Sequence, residues 1–114
     1  MERTMLVVAV GISAAIGLAG QQSMLTPENI ERTRQLDAIA KRRGQTLAQM
    51  ALAWTLRDKR VTSALIGASS PEQVADSVKA LDNPSFTADE LNEIDRYAVE
   101  GGVNIWRQSA ELKA

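Results

Sequence analysis

Apolar residues recur at helical spacing in four stretches of the chain, and a hydroxyl residue precedes each stretch. These residues are Thr26, Thr46, Ser70 and Thr87. Ser and Thr side chains accept hydrogen bonds from the free N–H groups of a first helical turn, so they favour the position just before a helix. The pattern therefore predicts four helices, with Gly44 ending the first of them.

The second predicted helix is apolar around nearly its whole circumference. Its residues include Leu47, Met50, Trp54 and Leu56, with alanines between them. A helix of this kind is buried on more than one side. The body of this small chain offers little to bury it against, so the pattern indicates that part of a larger structure is missing.

Residues 61–66 predict the one strand in the body of the chain. The run begins at the β-branched Val61, ends at the β-branched Ile66 and is stopped by Gly67. A lone strand leaves backbone donors and acceptors unpaired on both edges. Helices on either side therefore predict a βα unit of an α/β fold, in which the other strands of a parallel sheet come from elsewhere.

Residues 5–20 differ from the rest because they carry no charge and are rich in Val, Ile, Ala and Gly. A run of this length falls short of the roughly 20 residues that cross a bilayer. Three interpretations stay open: a signal peptide or anchor, a mis-assigned start or frameshift, and a native buried segment. We therefore divide the chain into an apolar segment, 1–22, and a body, 23–114.

The composition excludes several kinds of chemistry. The 13 basic and 14 acidic residues nearly cancel, so nothing directs the chain toward nucleic acid. There is no Cys and no His, which removes thiolate metal sites and the commonest general base. The basic run 41–43 could form a phosphate patch, but its place at a predicted helix end favours a solvated helix C-terminus.

The turn from Gly67 to Ser70 joins the predicted strand to the third predicted helix. The N–H groups of a first helical turn point outward, and the helix dipole favours an anion there. Gly67 lets the backbone approach a ligand closely, and the hydroxyls of Ser69 and Ser70 can donate to phosphate oxygens. Taken locally, the two serines are explained more simply by helix capping.

The sequence LIGASSPEQ at 65–73 resembles the last strand and following helix of NADP-dependent aldo-keto reductases. The branch is the one with the potassium-channel β subunits and the bacterial glyceraldehyde-phosphate reductase-like enzymes. Residues 24–29, 49–54 and 101–106 are similar to its flanking pieces in the same order. The resemblance covers 23–114, about the last third of a family member. It implies a C-terminal fragment of a (β/α)8 TIM barrel, mostly helical with a strand at 61–66.

The resemblance also implies a cofactor contact. In the family this turn and helix hold the 2′-phosphate and adenosine end of NADP(H). Carried over, Gly67 presents its backbone, Ser69 binds phosphate and Gln73 reaches the adenosine. One turn later the family usually has Glu-Asn, whereas this chain has Asp76 and Ser77, which weakens the contact with the adenine ring.

No catalytic residue and no metal site is expected in this chain. The family's catalytic Tyr, Lys, His and Asp come from the first half of the barrel, and Asp37, Lys41 and Asp95 are explained by solvated helix faces. The resemblance implies a cytoplasmic enzyme that reduces a small aldehyde or ketone with NADPH, of which this fragment alone is inactive. The alternative is a small helical interaction module, exported or attached to a membrane through residues 5–20.

Overall fold

The computed structural model describes residues 25–99, and these residues form four α-helices and one 3-10 helix. The helices are α1 (Pro27–Arg42), α2 (Leu47–Thr55), α3 (Pro71–Val78), the 3-10 helix Lys79–Asp82 and α4 (Ala88–Tyr97). The four predicted helices are confirmed in order. The expectations for residues 1–22 and for the tail at 101–106 lie outside the described residues.

Each α-helix begins at the hydroxyl residue that the sequence predicts. The side chains of Thr26, Thr46, Ser70 and Thr87 each accept a hydrogen bond from the N–H three residues further on. At the far end of α1, Gly44 takes a φ of 69°, a left-handed conformation that glycine adopts without penalty. These signals act within three or four residues, and so the local sequence locates them.

The predicted strand at 61–66 is wrong for this structure. Residues 61–68 are irregular, and their one backbone hydrogen bond runs from the Val61 N–H to the Asp58 carbonyl at 2.9 Å. Leu65 is fully exposed. A strand exists only beside another strand, and residues 25–99 supply none. The β-branched composition of this segment is therefore not sufficient to form a strand among the described residues.

The core lies where α1, α2 and α4 meet. Ile39 of α1 and Ile94 of α4 are each 1% exposed, and Met50 of α2 belongs to the same buried cluster. Trp54 is partly buried and packs against this cluster, and its Nε1 has no hydrogen-bond partner among the described residues. The prediction that α2 is buried all round therefore holds for one side of the helix, and its other apolar residues are half-buried.

Arg43 closes the core at the end of α1. Its side chain is only 3% exposed, and it donates to the Glu90 carboxylate at 2.8 Å. It also donates to the carbonyls of Asn83 at 2.8 Å and Ser85 at 2.9 Å, and it lies 3.8 Å from the centre of the Phe86 ring. We call these five residues the Arg43 clasp. The prediction of a solvated helix end is wrong for Arg43, because the chain returns to this end about forty residues later.

Two amides extend the Arg43 clasp. Gln45 is buried, accepts from Arg43 Nε at 3.0 Å and donates to the Asn83 carbonyl at 3.1 Å. The Asn83 side chain returns a hydrogen bond to the Arg43 carbonyl at 3.1 Å. The guanidinium therefore has partners on several sides, which is what a buried charge requires. The clasp ties the end of α1 to the start of α4.

Candidate functional site

The turn 67–70 lies on the surface at the start of α3. Gly67 and Ser69 are exposed, and a Cβ added at Gly67 would meet no atom within 4 Å. Packing among the described residues therefore does not require glycine here. The lack of a side chain leaves the backbone open to a molecule approaching from outside residues 25–99, which is the role that the sequence predicts for this glycine.

The Gln73 side chain already binds a backbone N–H group of this turn. Its Oε1 accepts a hydrogen bond from the Ser69 N–H at 2.7 Å, while its own N–H donates to Ser70 Oγ at 3.3 Å. In a complete capping box the Gln73 side chain would accept from the N–H of Ser70, the capping residue; here it accepts from the N–H of Ser69, one residue earlier. The structure brings Ser69 and Gln73 together. An anion that used the Ser69 N–H would first have to displace the Gln73 side chain.

Asp76 faces α2. The buried Gln49 donates through Nε2 to both the carbonyl and the carboxylate of Asp76, each at 3.0 Å, and Lys79 lies 3.5 Å from the same carboxylate. Ser77 is half-buried beside it. The hydrogen bonds and the ion pair of the Asp76 side chain among the described residues go to Gln49 and Lys79, and none goes to Gly67, Ser69 or Gln73. Gln49 also completes the capping box of α2 with Thr46, and its bonds to Asp76, which fasten α3 to α2, have no local signal in the sequence.

The turn 67–70 and α3 contain no basic residue of their own. Glu72 lies in the first turn, where it suits the helix dipole but repels an anion. Lys79 lies beyond the end of α3 and is paired with Asp76. Among the described residues of this turn and helix, a phosphate would therefore be held by hydroxyl and N–H groups. A positive charge to balance the phosphate would have to come from partners outside this segment.

The remaining charged residues form ordinary pairs. Asp37 and Lys41 join at 2.7 Å along the exposed side of α1, as the solvated-face interpretation predicts. The Arg60 guanidinium and N–H beside Asp58 hold the pKa of that carboxyl well below its usual range. Across residues 25–99 no group of acidic side chains could hold a metal ion, and no helix there is both long and apolar enough to cross a membrane.

Comparison with known proteins gives this turn its context. The model of the Aldo/keto reductase family matches residues 5–99, which includes all the described helices and the turn 67–70. The match begins inside the segment 1–22 that the sequence pattern sets apart. The boundary at residue 22 therefore does not coincide with an edge of the match.

Three curated relatives agree with the family match. The chain is 48% identical over 88 residues to L-glyceraldehyde 3-phosphate reductase of Escherichia coli K12, and 47% identical to the same enzyme of Escherichia coli O157:H7. These matches cover 77% of this chain and 25% of each relative.

A potassium channel subunit beta-like protein of Schizosaccharomyces pombe is 44% identical over 68 residues, 57% of this chain and 19% of that protein. The chain spans about a quarter of the length of the reductases it matches. The extent of the family match and the branch of these relatives agree with the resemblance carried by 65–73. The chain belongs to the aldo/keto reductase family.

Proposed function

We propose that residues 67–78 supply the contact for the 2′-phosphate and adenosine end of NADP(H) in an aldo/keto reductase. The observation that carries the proposal is the open turn at Gly67 and Ser69, which lies at the surface beside the first turn of α3. The family match includes this turn. The family's (β/α)8 barrel would bring the remaining walls of the site.

The chain's own residues would act by hydrogen bonding. Ser69 would offer its hydroxyl and, once the Gln73 side chain has turned away, its N–H, to phosphate oxygens. Gln73 would exchange its bond to Ser69 for one to the adenosine. NADPH, when bound, supplies the hydride for carbonyl reduction. The residues described here would hold its far end and take no part in the transfer.

Asp76 and Ser77 have a smaller part in this proposal. Asp76 already accepts from Gln49 and faces Lys79, so a contact with the adenosine would compete with bonds that fasten α3. Ser77 offers one hydroxyl where the family usually has an amide. We therefore expect recognition of the cofactor to depend mainly on Ser69 and Gln73, and we expect contact with the adenine ring to be weak.

The carbonyl substrate would be bound by the complete barrel, of which this chain is a part. The Escherichia coli relatives are named for reduction of L-glyceraldehyde 3-phosphate, so a small aldehyde or ketone is the substrate class we propose for the complete barrel, acting in the cytoplasm. None of residues 25–99 is assigned a catalytic role. The chain alone is expected to reduce no carbonyl compound.

The test is a chimera in which this chain's 88 matched residues replace those of the Escherichia coli K12 reductase. Dissociation constants for NADPH and NADH are measured by fluorescence titration. Ser69→Ala is expected to weaken NADPH binding roughly tenfold, since a hydrogen bond to a charged group contributes about 1.5 kcal/mol or more. NADH lacks the 2′-phosphate, so its binding should stay unchanged.

Ser63→Ala is the matched control, because Ser63 is an exposed serine in the segment before the turn. Its effect on both cofactors should lie within the error of the titration. An equal loss of NADPH and NADH binding in Ser69→Ala, or no loss of either, would refute the proposed phosphate contact.

A further inference from the structure

Within residues 25–99, hydrogen bonds join α3 to another helix at a single point. Six of the eight residues of α3 are exposed, and only Asp76 and Ser77 are half-buried. None of them belongs to the buried cluster of α1, α2 and α4. The bonds that connect α3 to α2 run from Gln49 to Asp76, whereas the 3-10 helix that follows is anchored separately by the buried Ala80. The position of α3 against α2 therefore depends on a polar contact.

The Gln49 amide has hydrogen-bond partners at both of its ends. Gln49 is 6% exposed, and its Oε1 accepts from the Thr46 N–H at 3.0 Å. Its Nε2 donates to the carbonyl and to the carboxylate of Asp76, each at 3.0 Å. The contact needs one acceptor and two donors on the same side chain, which an amide supplies and a carboxylate, a lysine or an arginine does not. Glutamate at position 49 would therefore keep the bond to Thr46 and lose both bonds to Asp76.

The turn 67–70 is bonded to α3 and not to the other helices. The Ser69 N–H donates to Gln73 Oε1 at 2.7 Å, and Ser70 Oγ accepts from the Gln73 N–H at 3.3 Å. Among the described residues, no hydrogen bond of this turn goes to α1, α2 or α4. A continuous path of hydrogen bonds therefore leads from the turn through α3 to Gln49, and a movement of α3 would carry the turn with it.

We propose that Gln49 is a positioning residue for the cofactor contact. It holds α3 through Asp76, and α3 in turn places Ser69 where the 2′-phosphate binds, although Gln49 itself does not touch the cofactor. Gln49 has this role only if residues 67–78 bind NADP(H) as proposed above. A hydrogen bond is lost once its heavy atoms separate by less than about 1 Å beyond their usual distance, so a small displacement of α3 is sufficient to weaken the phosphate contact.

Hydrogen exchange on the full chain tests whether Gln49 holds α3. Gln49→Glu keeps the acceptor for the Thr46 N–H but places a carboxylate against Asp76, so the amides of α3 should exchange roughly tenfold faster than in the parent. Adding Asp76→Asn supplies a donor to the new carboxylate and should restore part of the protection. Equal exchange of α3 in the parent and in Gln49→Glu would overturn the proposal.

Gln35→Glu is the matched control. The Nε2 of Gln35 also donates to a carboxylate, that of Glu31 at 2.7 Å, but this pair lies on the exposed side of α1. The substitution adds the same charge and opposes the same kind of acceptor, and it should leave the exchange of α3 unchanged. If Gln35→Glu and Gln49→Glu accelerated the exchange of α3 equally, Gln49 would have no special part in holding this helix.

The chimera with the Escherichia coli K12 reductase tests the consequence for the cofactor. Gln49→Glu should lower the preference for NADPH over NADH by roughly threefold to tenfold, and by no more than Ser69→Ala, because both changes weaken the same phosphate contact. A general loss of stability would weaken binding of both cofactors alike, so the ratio of the two dissociation constants separates positioning from a purely structural role. In the Ser69→Ala background, Gln49→Glu should lower this ratio no further.

Failure of the phosphate contact and failure of the role of Gln49 give different results. If Ser69→Ala leaves the ratio unchanged, the phosphate contact itself is wrong. If Ser69→Ala lowers the ratio and Gln49→Glu does not, the phosphate contact stands and the positioning role is overturned. Should the charged variant not fold, Gln49→Met removes the same donor without adding a charge, and a ratio equal to that of the parent would overturn the proposal in the same way.

Discussion

The Arg43 clasp and the turn 67–70 have opposite environments. In the clasp, a guanidinium that is 3% exposed is surrounded by a carboxylate, two carbonyls and an aromatic ring from its own chain. At the turn, Gly67 and Ser69 are exposed, and the segment leading to them has no backbone partner among the described residues. The polar groups of the clasp are hydrogen-bonded to one another, whereas the backbone groups of the segment before the turn remain available to other partners.

The clasp contains groups that stabilise the fold of residues 25–99, whereas the turn contains groups that remain available for contacts with other partners. The clasp and the core at Ile39 and Ile94 join α1, α2 and α4 through contacts among the described residues. The turn and the segment before it present donors and apolar side chains that the described residues do not use. We therefore expect stability to depend on the first region and ligand contact on the second.

The largest expected effect is that of Arg43→Ala. It removes one partner of a part-buried ion pair and leaves the carbonyls of Asn83 and Ser85 without their donor, which should lower the free energy of unfolding by about 3 to 5 kcal/mol. Urea denaturation of the full chain, followed by circular dichroism, measures the change.

Arg34→Ala is the matched control for the clasp, because Arg34 is exposed and lies 3.8 Å from Glu31. Its expected cost is below about 0.5 kcal/mol. If the two arginine variants were equally stable, the clasp would not be what holds α4 to α1.

The next effect concerns the core. Ile39→Ala should lower the free energy of unfolding by about 3 kcal/mol, because Ile39 is 1% exposed and the substitution leaves a cavity. Val74→Ala, on α3 near the turn, removes a side chain that is 45% exposed, and should change stability by less than about 0.5 kcal/mol. Similar losses from both would erase the distinction between the two regions.

The pH dependence of the clasp is expected to be smaller. Partial burial opposes ionisation of Glu90, but hydrogen bonds from the Thr87 N–H and from Arg43 outweigh it and hold the pKa of Glu90 below its ordinary value. A carboxyl whose pKa is lower in the folded state stabilises it above the unfolded pKa of about 4.3, and this stabilisation is lost as pH falls through the folded pKa.

Thermal unfolding of the full chain between neutral and acidic pH measures this contribution. Glu90→Gln should be less stable than the parent at neutral pH, and the gap should shrink on acidification below about pH 4. A gap that stayed constant over this range would show that ionised Glu90 adds nothing to the clasp.

The smallest expected effect is the difference in stability between variants that remove two different helix caps. Thr87 and Glu90 close a complete capping box on α4, so Thr87→Ala should lower stability by about 1 kcal/mol. Ser70 caps α3 through a single bond of 3.3 Å, and α3 has no fully buried residue. Ser70→Ala should therefore lower stability by less than Thr87→Ala. The opposite order in denaturation midpoints would mean that α3 contributes more to the fold than its exposure indicates.

The sequence was most informative where one residue acts on its near neighbours. The starts of all four helices followed from Thr26, Thr46, Ser70 and Thr87, because an N-cap bond spans only three residues. At α3, Ser70 and Gln73 have the spacing of a capping box, but the Gln73 side chain accepts from the Ser69 N–H. The capping pattern identifies Gln73 as the partner but does not determine whether its side chain returns to Ser70 or to Ser69.

Contacts between distant parts of the chain had no such signal. Arg43 was one of three basic residues at a helix end, and only the return of the chain at Asn83 and Glu90 buries it. The segment 61–66 has the residues of a strand, but strand formation needs a partner that residues 25–99 do not contain. The cofactor contacts assigned to Gly67, Ser69, Gln73, Asp76 and Ser77 came from resemblance, and they stay predictions.

NADPH titration, run in parallel on the purified chain and on the Escherichia coli chimera, tests the central claim most directly. The claim is that the turn 67–70 is one wall of a cofactor site that other parts of a barrel complete. The chimera is expected to bind NADPH with saturation, whereas the chain alone should show no saturation in the sub-millimolar range. Sub-millimolar binding by the chain alone, or a folded chimera that binds no NADPH, would contradict the account.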